Sequence, residues 1–337
     1  MALTVGIIGL PNVGKSSLFN ALLKREQALV ANYPFATIEP NIGVVSVPDE
    51  RLDKLARWFN QENPPPTIPT AITFVDIAGL VKGASAGEGL GNQFLNHIKN
   101  ASIILEVVRD FDDPEISREH SKDPSEDAET IETELRLKDL ETLDKKISSV
   151  KKDPAKKNES SFLAALKEKI SSGEDLKIPE KDSQNEKISE LLRELSLLSL
   201  KPKIYAFNSD SSKLAQKDER PKTHRGRLVV YFSAISGEGL EKIIKAGYET
   251  LDLISFLTVG EKEARAWTIK RGTKAREAAG VIHSDFEKNF IRARIIDWKK
   301  LVAVKSLADA ASRGLIRSEG KDYIMQDGDV VEFLVGK

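Results

Sequence analysis

The sequence contains no cysteine. Disulfides, thiolate metal sites and cysteine nucleophiles are thereby excluded together, and a reducing compartment suits such a chain. Histidine is nearly as scarce: His97, His120, His224 and His283 are the only four, too few to make a histidine-rich metal centre a natural expectation. No apolar run approaches the ~20 residues needed to span a membrane. The opening MALTVGIIGLPNVGK has no basic segment ahead of its short apolar run, so it does not read as a signal peptide. Net charge is missing as well, because 51 Lys and Arg oppose 52 Asp and Glu. A chain so balanced has no globally basic surface, and any nucleic-acid face must be local. These absences lead us to expect a soluble cytoplasmic protein with no membrane partner and no DNA partner.

What is present is an ordinary globular mixture, 40% hydrophobic and 31% charged. At ~150 residues per domain, 337 residues suggest two or three domains. Residues 1 to about 110 alternate short β-branched runs (Leu3–Ile8, Ala71–Val75, Ile103–Val108) with helical patterns such as Ser16–Leu23. Strands alternating with helices indicate a parallel sheet. From about 112 to 200 the chain is charged and almost free of aromatics. Leu140, Leu143, Ile147 and Val150 are spaced three, four, three, and Ile188, Leu191, Leu195 and Leu198 repeat the spacing after a break rich in Lys, Ser, Gly and Pro. Two such seams predict an antiparallel helical hairpin with a narrow apolar stripe. Lys203–Phe207 and Leu228–Ser233 then resume the first sheet. From about Phe256 the short strands Ala266–Lys270, Ile291–Ile296 and Asp329–Val335 surround the helical stretch Ser306–Ser312, a small α+β module.

The strongest chemical signal is Gly9-Leu10-Pro11-Asn12-Val13-Gly14-Lys15-Ser16, which fits G-x-x-x-x-G-K-[ST] between a strand and a helix. The glycines permit the tight turn. Backbone N–H groups of Asn12, Val13, Gly14, Lys15, Ser16 and Ser17 would surround phosphates at the helix N-terminus. Lys15 would reach the β- and γ-phosphates, and the Ser16 hydroxyl would ligate Mg²⁺. Asp76-Ile77-Ala78-Gly79 closes the strand Ala71–Val75; Asp76 suits the Mg²⁺ shell, and the Gly79 N–H could sense the γ-phosphate. Between the two motifs, Thr37 in the loop Tyr33–Pro40 is suited to a second Mg²⁺ contact, although an ordinary solvent-facing hydroxyl fits that position equally well.

These residues resemble the YchF/Obg-like ATPase family of translation-factor-related P-loop proteins. The resemblance is carried by GLPNVGKSSLFNAL, NYPFATIEPNIGVV, FVDIAGLVKGASAGEGLGNQFL, AGVIHSDFEKNFIRARI and EGKDYIMQDGDVVEF, which extend from residue 3 to residue 335. It implies an α/β, Ras-like P-loop NTPase domain over 1–111 and 201–254, a helical coiled-coil insertion over 112–200, and an α+β, ubiquitin-like TGS domain over 255–337. It also implies a Mg²⁺-dependent enzyme, with K⁺ as a further candidate ion, that hydrolyses ATP or GTP and acts as a ribosome-associated switch. A nucleotide-gated RNA- or ribosome-binding protein of negligible turnover, and a GTP-specific GTPase, are the alternatives.

Two departures from the family pattern matter. Leu80 stands where Ras-type proteins have a water-positioning Gln, a hydrophobic substitution that members of the resembled family share, and a leucine cannot hydrogen-bond water. The family's substitute is a loop histidine after an Arg-x-Phe segment, here Arg109-Asp110-Phe111. Alignment from Phe111 places Ser117 at that position, with His120 three residues on. Either His120 takes the role after a register change, or the chain lacks the group. The catalytic candidates are thus Lys15, Thr37, Gly79 and His120. The family's base motif N-x-x-E reads Asn208-Ser209-Asp210-Ser211, so Ser211 replaces the Glu associated with adenine. Asn208 and Ser209, with the loop Ser233-Ala234-Ile235, are the candidate base contacts.

The C-terminal module carries a local charge bias. Between Glu261 and Lys305, twelve cations oppose six acids. Such an excess suits a phosphate-binding face. The TGS resemblance points it toward ribosomal RNA.

Overall fold

The computed structural model describes residues 4–29, 41–77, 98–115, 123–151, 153, 156–173, 185–216 and 218–336. The chain divides into two compact units, Met1–Gly43 with Thr73–Leu240, and Val44–Ile72 with Glu241–Lys337.

The first unit is built on β1 (Thr4–Ile8), β4 (Ala71–Asp76), β5 (Ile103–Asp110), β6 (Lys203–Ser209) and β8 (Arg227–Phe232), all mutually parallel. Two short strands complete the edges, β2 (Ile42–Ser46) and β7 (Thr223–His224), in the order β2-β4-β1-β5-β6-β8-β7. β5 and β6 are buried along their whole length. Their apolar residues, Ile103–Leu105, Val107, Val108 and Ile204–Phe207, suit strands covered on both faces, whereas Glu106, Arg109, Asp110, Lys203, Asn208 and Ser209 are polar residues buried with them. α1 (Lys15–Leu29) follows β1 directly and buries Leu18 and Leu22.

The insertion differs from the expected hairpin. α3 (Pro124–Val150) carries the first seam read from the sequence and α5 (Glu186–Leu195) the second as far as Leu195, Leu198 lying beyond the helix end, but α4 (Lys157–Ser171) lies between them and packs on α3. Leu163, Leu166 and Ile170 of α4 join Leu143, Val150, Leu191 and Leu195 in one core. α4 sits inside the stretch read as a polar connector; its three-four spacing is masked there by Lys, Ser and Glu on the other faces. Asp123 caps α3 by accepting from the N–H groups of Ser125 and Glu126.

At the root of the insertion, ionisable groups are buried between α3 and the sheet. Lys203 Nζ lies 2.9 Å from Glu106 Oε2 on β5 and 3.4 Å from Glu132 Oε1 on α3. The Tyr205 hydroxyl also donates to Glu132, and Arg225 Nη1 reaches its other oxygen at 2.7 Å. Asp139, further along α3, accepts from the backbone N–H groups of Leu198 and Ser199, both at 2.8 Å, and from the Ser199 hydroxyl.

The second unit holds a six-stranded sheet among the described residues, in the order β12-β11-β13-β9-β10-β3. Its strands are β3 (Thr67–Ile68), β9 (Leu253–Val259), β10 (Ala264–Lys270), β11 (Phe290–Asp297), β12 (Arg317–Glu319) and β13 (Asp329–Val335). Neighbouring residues on a strand face opposite sides. Thus Leu257 and Ile296 meet α2 (Glu50–Phe59) through Leu52, Leu55 and Ala56, while Phe256 and Ile295 pack with Ala275 and Ala278 of a helix over Ala275–Ile282. From the sequence, α2 and β3 are expected with the nucleotide domain, within residues 1–111. In the structure the apolar face of α2 is instead completed by residues more than two hundred positions downstream.

Candidate functional site

The phosphate loop occupies the turn between β1 and α1 at the C-terminal ends of the parallel strands. Gly9 has φ +155°, and a Cβ there would lie 2.5 Å from the Val107 carbonyl oxygen of β5. Gly14 has φ +96°, and its Cβ would meet Asn208 Nδ2 at 2.4 Å. Both positions therefore need glycine for conformation and for space. The side chains of Asn12, Ser16 and Ser17 are exposed, whereas Val13 is buried and anchors the loop. The first turn of α1 contains no acidic residue of its own to oppose an anion at the helix N-terminus.

Lys15 begins α1 and is only 9% exposed. Its Nζ turns back to donate to the Leu10 carbonyl at 2.8 Å. Burial lowers its pKa, and the Asp76 carboxylate works against that shift. Asp76 ends β4 in register with Ile7 of β1, and its own N–H donates to the Asn41 carbonyl at 2.9 Å. Its Oδ1 is buried and accepts no hydrogen bond from the described residues. A buried carboxylate oxygen left without a donor is costly. This oxygen and the exposed Ser16 hydroxyl are both hard oxygen donors of the kind Mg²⁺ prefers. The residues present thus fit a Mg²⁺ ion, and the described ones that would hold it are Ser16 and Asp76.

Asn208 joins three segments. Its Nδ2 donates to the Val13 carbonyl of the phosphate loop at 3.1 Å, and its Oδ1 accepts from the Ala234 N–H at 3.2 Å. The Ser233 hydroxyl closes its own turn by accepting from the Ser236 N–H. Asn208, Ser233 and Ala234 are therefore brought to the phosphate loop. Ser209 is in the same place by chain position, but it is buried and its hydroxyl donates to Asp110. Asp210 caps the short helix α6 (Ser211–Ala215): its Oδ1 accepts from the Lys213 N–H and the Ser212 hydroxyl. Those hydrogen bonds lower the Asp210 pKa. Ser211 opens α6 with an exposed side chain.

Thr37, Gly79, Leu80, Ser117 and His120 lie outside the described residues. Reading the sequence alone misses Asp110, Arg220 and Lys213. Arg220 forms a two-point ion pair with Asp110 at 2.7 and 3.0 Å, and Lys213 Nζ donates to the Asp110 carbonyl at 2.9 Å. The pairing of Asp110 with Ser209 follows from the β5–β6 register, but no local signal announces Arg220, 110 residues away.

Comparison with known proteins places this geometry. The family described as 50S ribosome-binding GTPase matches residues 4–168, and the C-terminal domain family of YchF GTPases, described as a protein of unknown function, matches residues 253–336. The ribosome-binding ATPase YchF of Bacillus subtilis is 43% identical over 99% of both chains. The chain belongs to the YchF family. The YchF of Mycoplasma genitalium is 40% identical over 98% of both chains. The solved structure of the Schizosaccharomyces pombe YchF GTPase superposes with a TM-score of 0.83 at 34% identity, covering 98% of this chain and 97% of that one. The fold is accordingly the mixed α/β arrangement of YchF proteins, a P-loop GTPase domain with a C-terminal domain. Among the described residues no helix is long and apolar enough to cross a membrane.

Proposed function

We propose that this YchF-family chain is a Mg²⁺-dependent P-loop nucleoside triphosphatase that binds the ribosome and couples nucleotide state to that binding. The observation that carries the reading is the meeting of Lys15, the acid-free N-terminus of α1 and the unsatisfied Asp76 oxygen. When a triphosphate enters, Lys15 exchanges the Leu10 carbonyl for phosphate oxygens, and the N–H groups of residues 12–17 surround the phosphates. Ser16, Asp76 and Thr37 would hold Mg²⁺, which supplies charge neutralisation of the phosphate oxygens. Catalysis then rests on positioning and on preorganised positive charge. Gly79 would sense the γ-phosphate, and His120 is the candidate for ordering water, given Leu80. K⁺ is a further candidate beside the phosphates.

ATP is the favoured nucleotide in this reading. Guanine selection needs a carboxylate that accepts two N–H bonds, and Ser211 offers one neutral hydroxyl. Asp210 is occupied in capping α6, which speaks against its serving as the guanine acceptor. Parallel titrations of ATP and GTP analogues, repeated on Asp210→Ala, test this. ATP bound at least as well as GTP is expected, and a hundredfold GTP preference erased by Asp210→Ala would refute it.

The C-terminal unit is proposed as a TGS domain that contacts ribosomal RNA. The structure narrows its basic face, because Arg271, Lys274 and Arg294 pair with Asp252, Asp322 and Glu332, acids outside the stretch with the charge excess. Exposed pairs of this kind are weak and can be exchanged for phosphate. The deciding experiment measures ATP and GTP hydrolysis with and without ribosomes. Phosphate release that ribosomes stimulate supports the switch, whereas nucleotide-dependent ribosome binding without release supports a gated binder.

A further inference from the structure

The C-terminal ends of β5, β6 and β8 are tied together by groups that the phosphate chemistry does not use. Asp110 ends β5 and is 6% exposed. Its Oδ2 accepts from Arg220 Nη1 at 2.7 Å and from the Ser209 hydroxyl, and its Oδ1 accepts from Arg220 Nη2 at 3.0 Å. The Arg220 guanidinium lies over the Tyr231 ring, 4.1 Å from its centre, and the Tyr231 hydroxyl donates to the carbonyl of Pro221, the residue after Arg220. Tyr231 sits on β8 two residues before Ser233. Lys213 of α6 donates to the Asp110 carbonyl.

A buried ion pair gives little stability over an apolar pair of the same volume, because desolvation offsets the attraction. What a two-point guanidinium–carboxylate pair stacked on an aromatic ring gives is fixed geometry. The two segments fixed here are Asn208–Ser211 and Ser233–Ile235, which Asn208 links to the phosphate loop.

We propose that Asp110 and Arg220 are positioning residues for the nucleotide base: they clamp the two base-contact segments at a set distance from the phosphate loop. The proposal rests on the reading of this site as a nucleotide site. Neither residue belongs to the phosphate loop, and their side-chain hydrogen bonds go to each other and to Ser209. The clamp therefore acts on the part of the affinity that the base and ribose contribute, and not on the part contributed by the phosphate chain.

Tripolyphosphate, which has no base, separates the two parts. With Asp110→Asn, ATP affinity should fall about tenfold, the effect of losing one charge-assisted hydrogen bond, while Lys15-dependent tripolyphosphate affinity stays unchanged. Arg220→Lys keeps the charge without the two-point geometry and should give a smaller loss for ATP, again with none for tripolyphosphate. Because Arg220 is part-exposed, Arg220→Lys also serves if Asp110→Asn does not fold. Unchanged ATP affinity in the folded variants, or equal loss of ATP and tripolyphosphate, would overturn the clamp. If wild-type protein shows no Lys15-dependent tripolyphosphate binding, the phosphate site itself fails, and the clamp with it.

Discussion

The root of the helical insertion and the phosphate loop belong to the same unit and use the same residue types, yet they treat polar atoms in opposite ways. At the root, Asp139 has both oxygens filled by backbone and hydroxyl donors, and Glu132 is held by Lys203, Tyr205 and Arg225. At the phosphate loop, Asp76 keeps a buried oxygen without a donor among the described residues, and Lys15 rests on its own loop's carbonyl. Buried carboxylates are ordinarily filled, so an oxygen without a described donor needs an explanation of its own. Glu106 is the instructive exception at the root: its Oε1 is also buried without a described donor. Burial raises its pKa to about 7 despite Lys203, whereas Lys203 and the hydroxyl and guanidinium donors hold Glu132 down at about 2 although burial opposes them.

The largest effect that would sharpen this contrast is expected from Lys203→Met. It leaves Glu106 and Glu132 buried without their shared cation, and removal of one partner from a buried pair costs about 3–5 kcal/mol. Urea unfolding should show that loss; a loss below about 1 kcal/mol would mean that the cluster is better hydrated than its burial indicates. Next comes Lys15→Ala, which removes a group whose described side-chain hydrogen bond goes to its own loop's carbonyl. Triphosphate affinity should fall about 10- to 100-fold, as loss of a charged donor implies, with the thermal midpoint of the nucleotide-free protein nearly unchanged. A large drop in that midpoint would make Lys15 architectural and break the comparison.

The smallest effect is the pH dependence set by Glu106. Its folded pKa lies above the ordinary value of ~4.3, so the folded state retains a proton that the unfolded chain releases between about pH 4.3 and about pH 7. This group's contribution to stability is therefore complete below about pH 4.3 and falls as pH rises to about 7. Glutamine mimics the protonated form. Glu106→Gln should melt with wild type at about pH 4 and several degrees above it at about pH 8, and a gap that fails to widen with pH would show that Lys203 fully compensates the charge.

The phosphate loop was legible because its chemistry is contiguous: eight residues carry the turn, the anion site and the cation. Asp76 and Asn208 were legible because each closes an apolar strand. The Asp110–Arg220 clamp was not, since its partners are separated by 110 residues and only strand register brings Asp110 to Ser209. The same reason hid the acids that pair with the basic stretch. For α4, the Leu163, Leu166 and Ile170 spacing was present in the sequence, but polar flanks outweighed it. For α2, the amphipathic face was readable, but nothing local says which sheet it covers.

That last feature has a temporal side. Trp58, near the end of α2, donates its indole N–H to the carbonyl of Val304, 246 residues later in the chain. At about 5–20 residues per second, synthesis of the intervening stretch takes roughly 12–50 s. During that interval Leu52, Leu55 and Ala56 have emerged while most of the core they join has not been made. A fragment confined to residues 253–336, the span matched by the C-terminal family, would lack this helix permanently. The second unit is thus begun early in translation and completed only near its end, so a nascent chain cut short between α2 and β9 carries an amphipathic helix without most of the core that covers its apolar face.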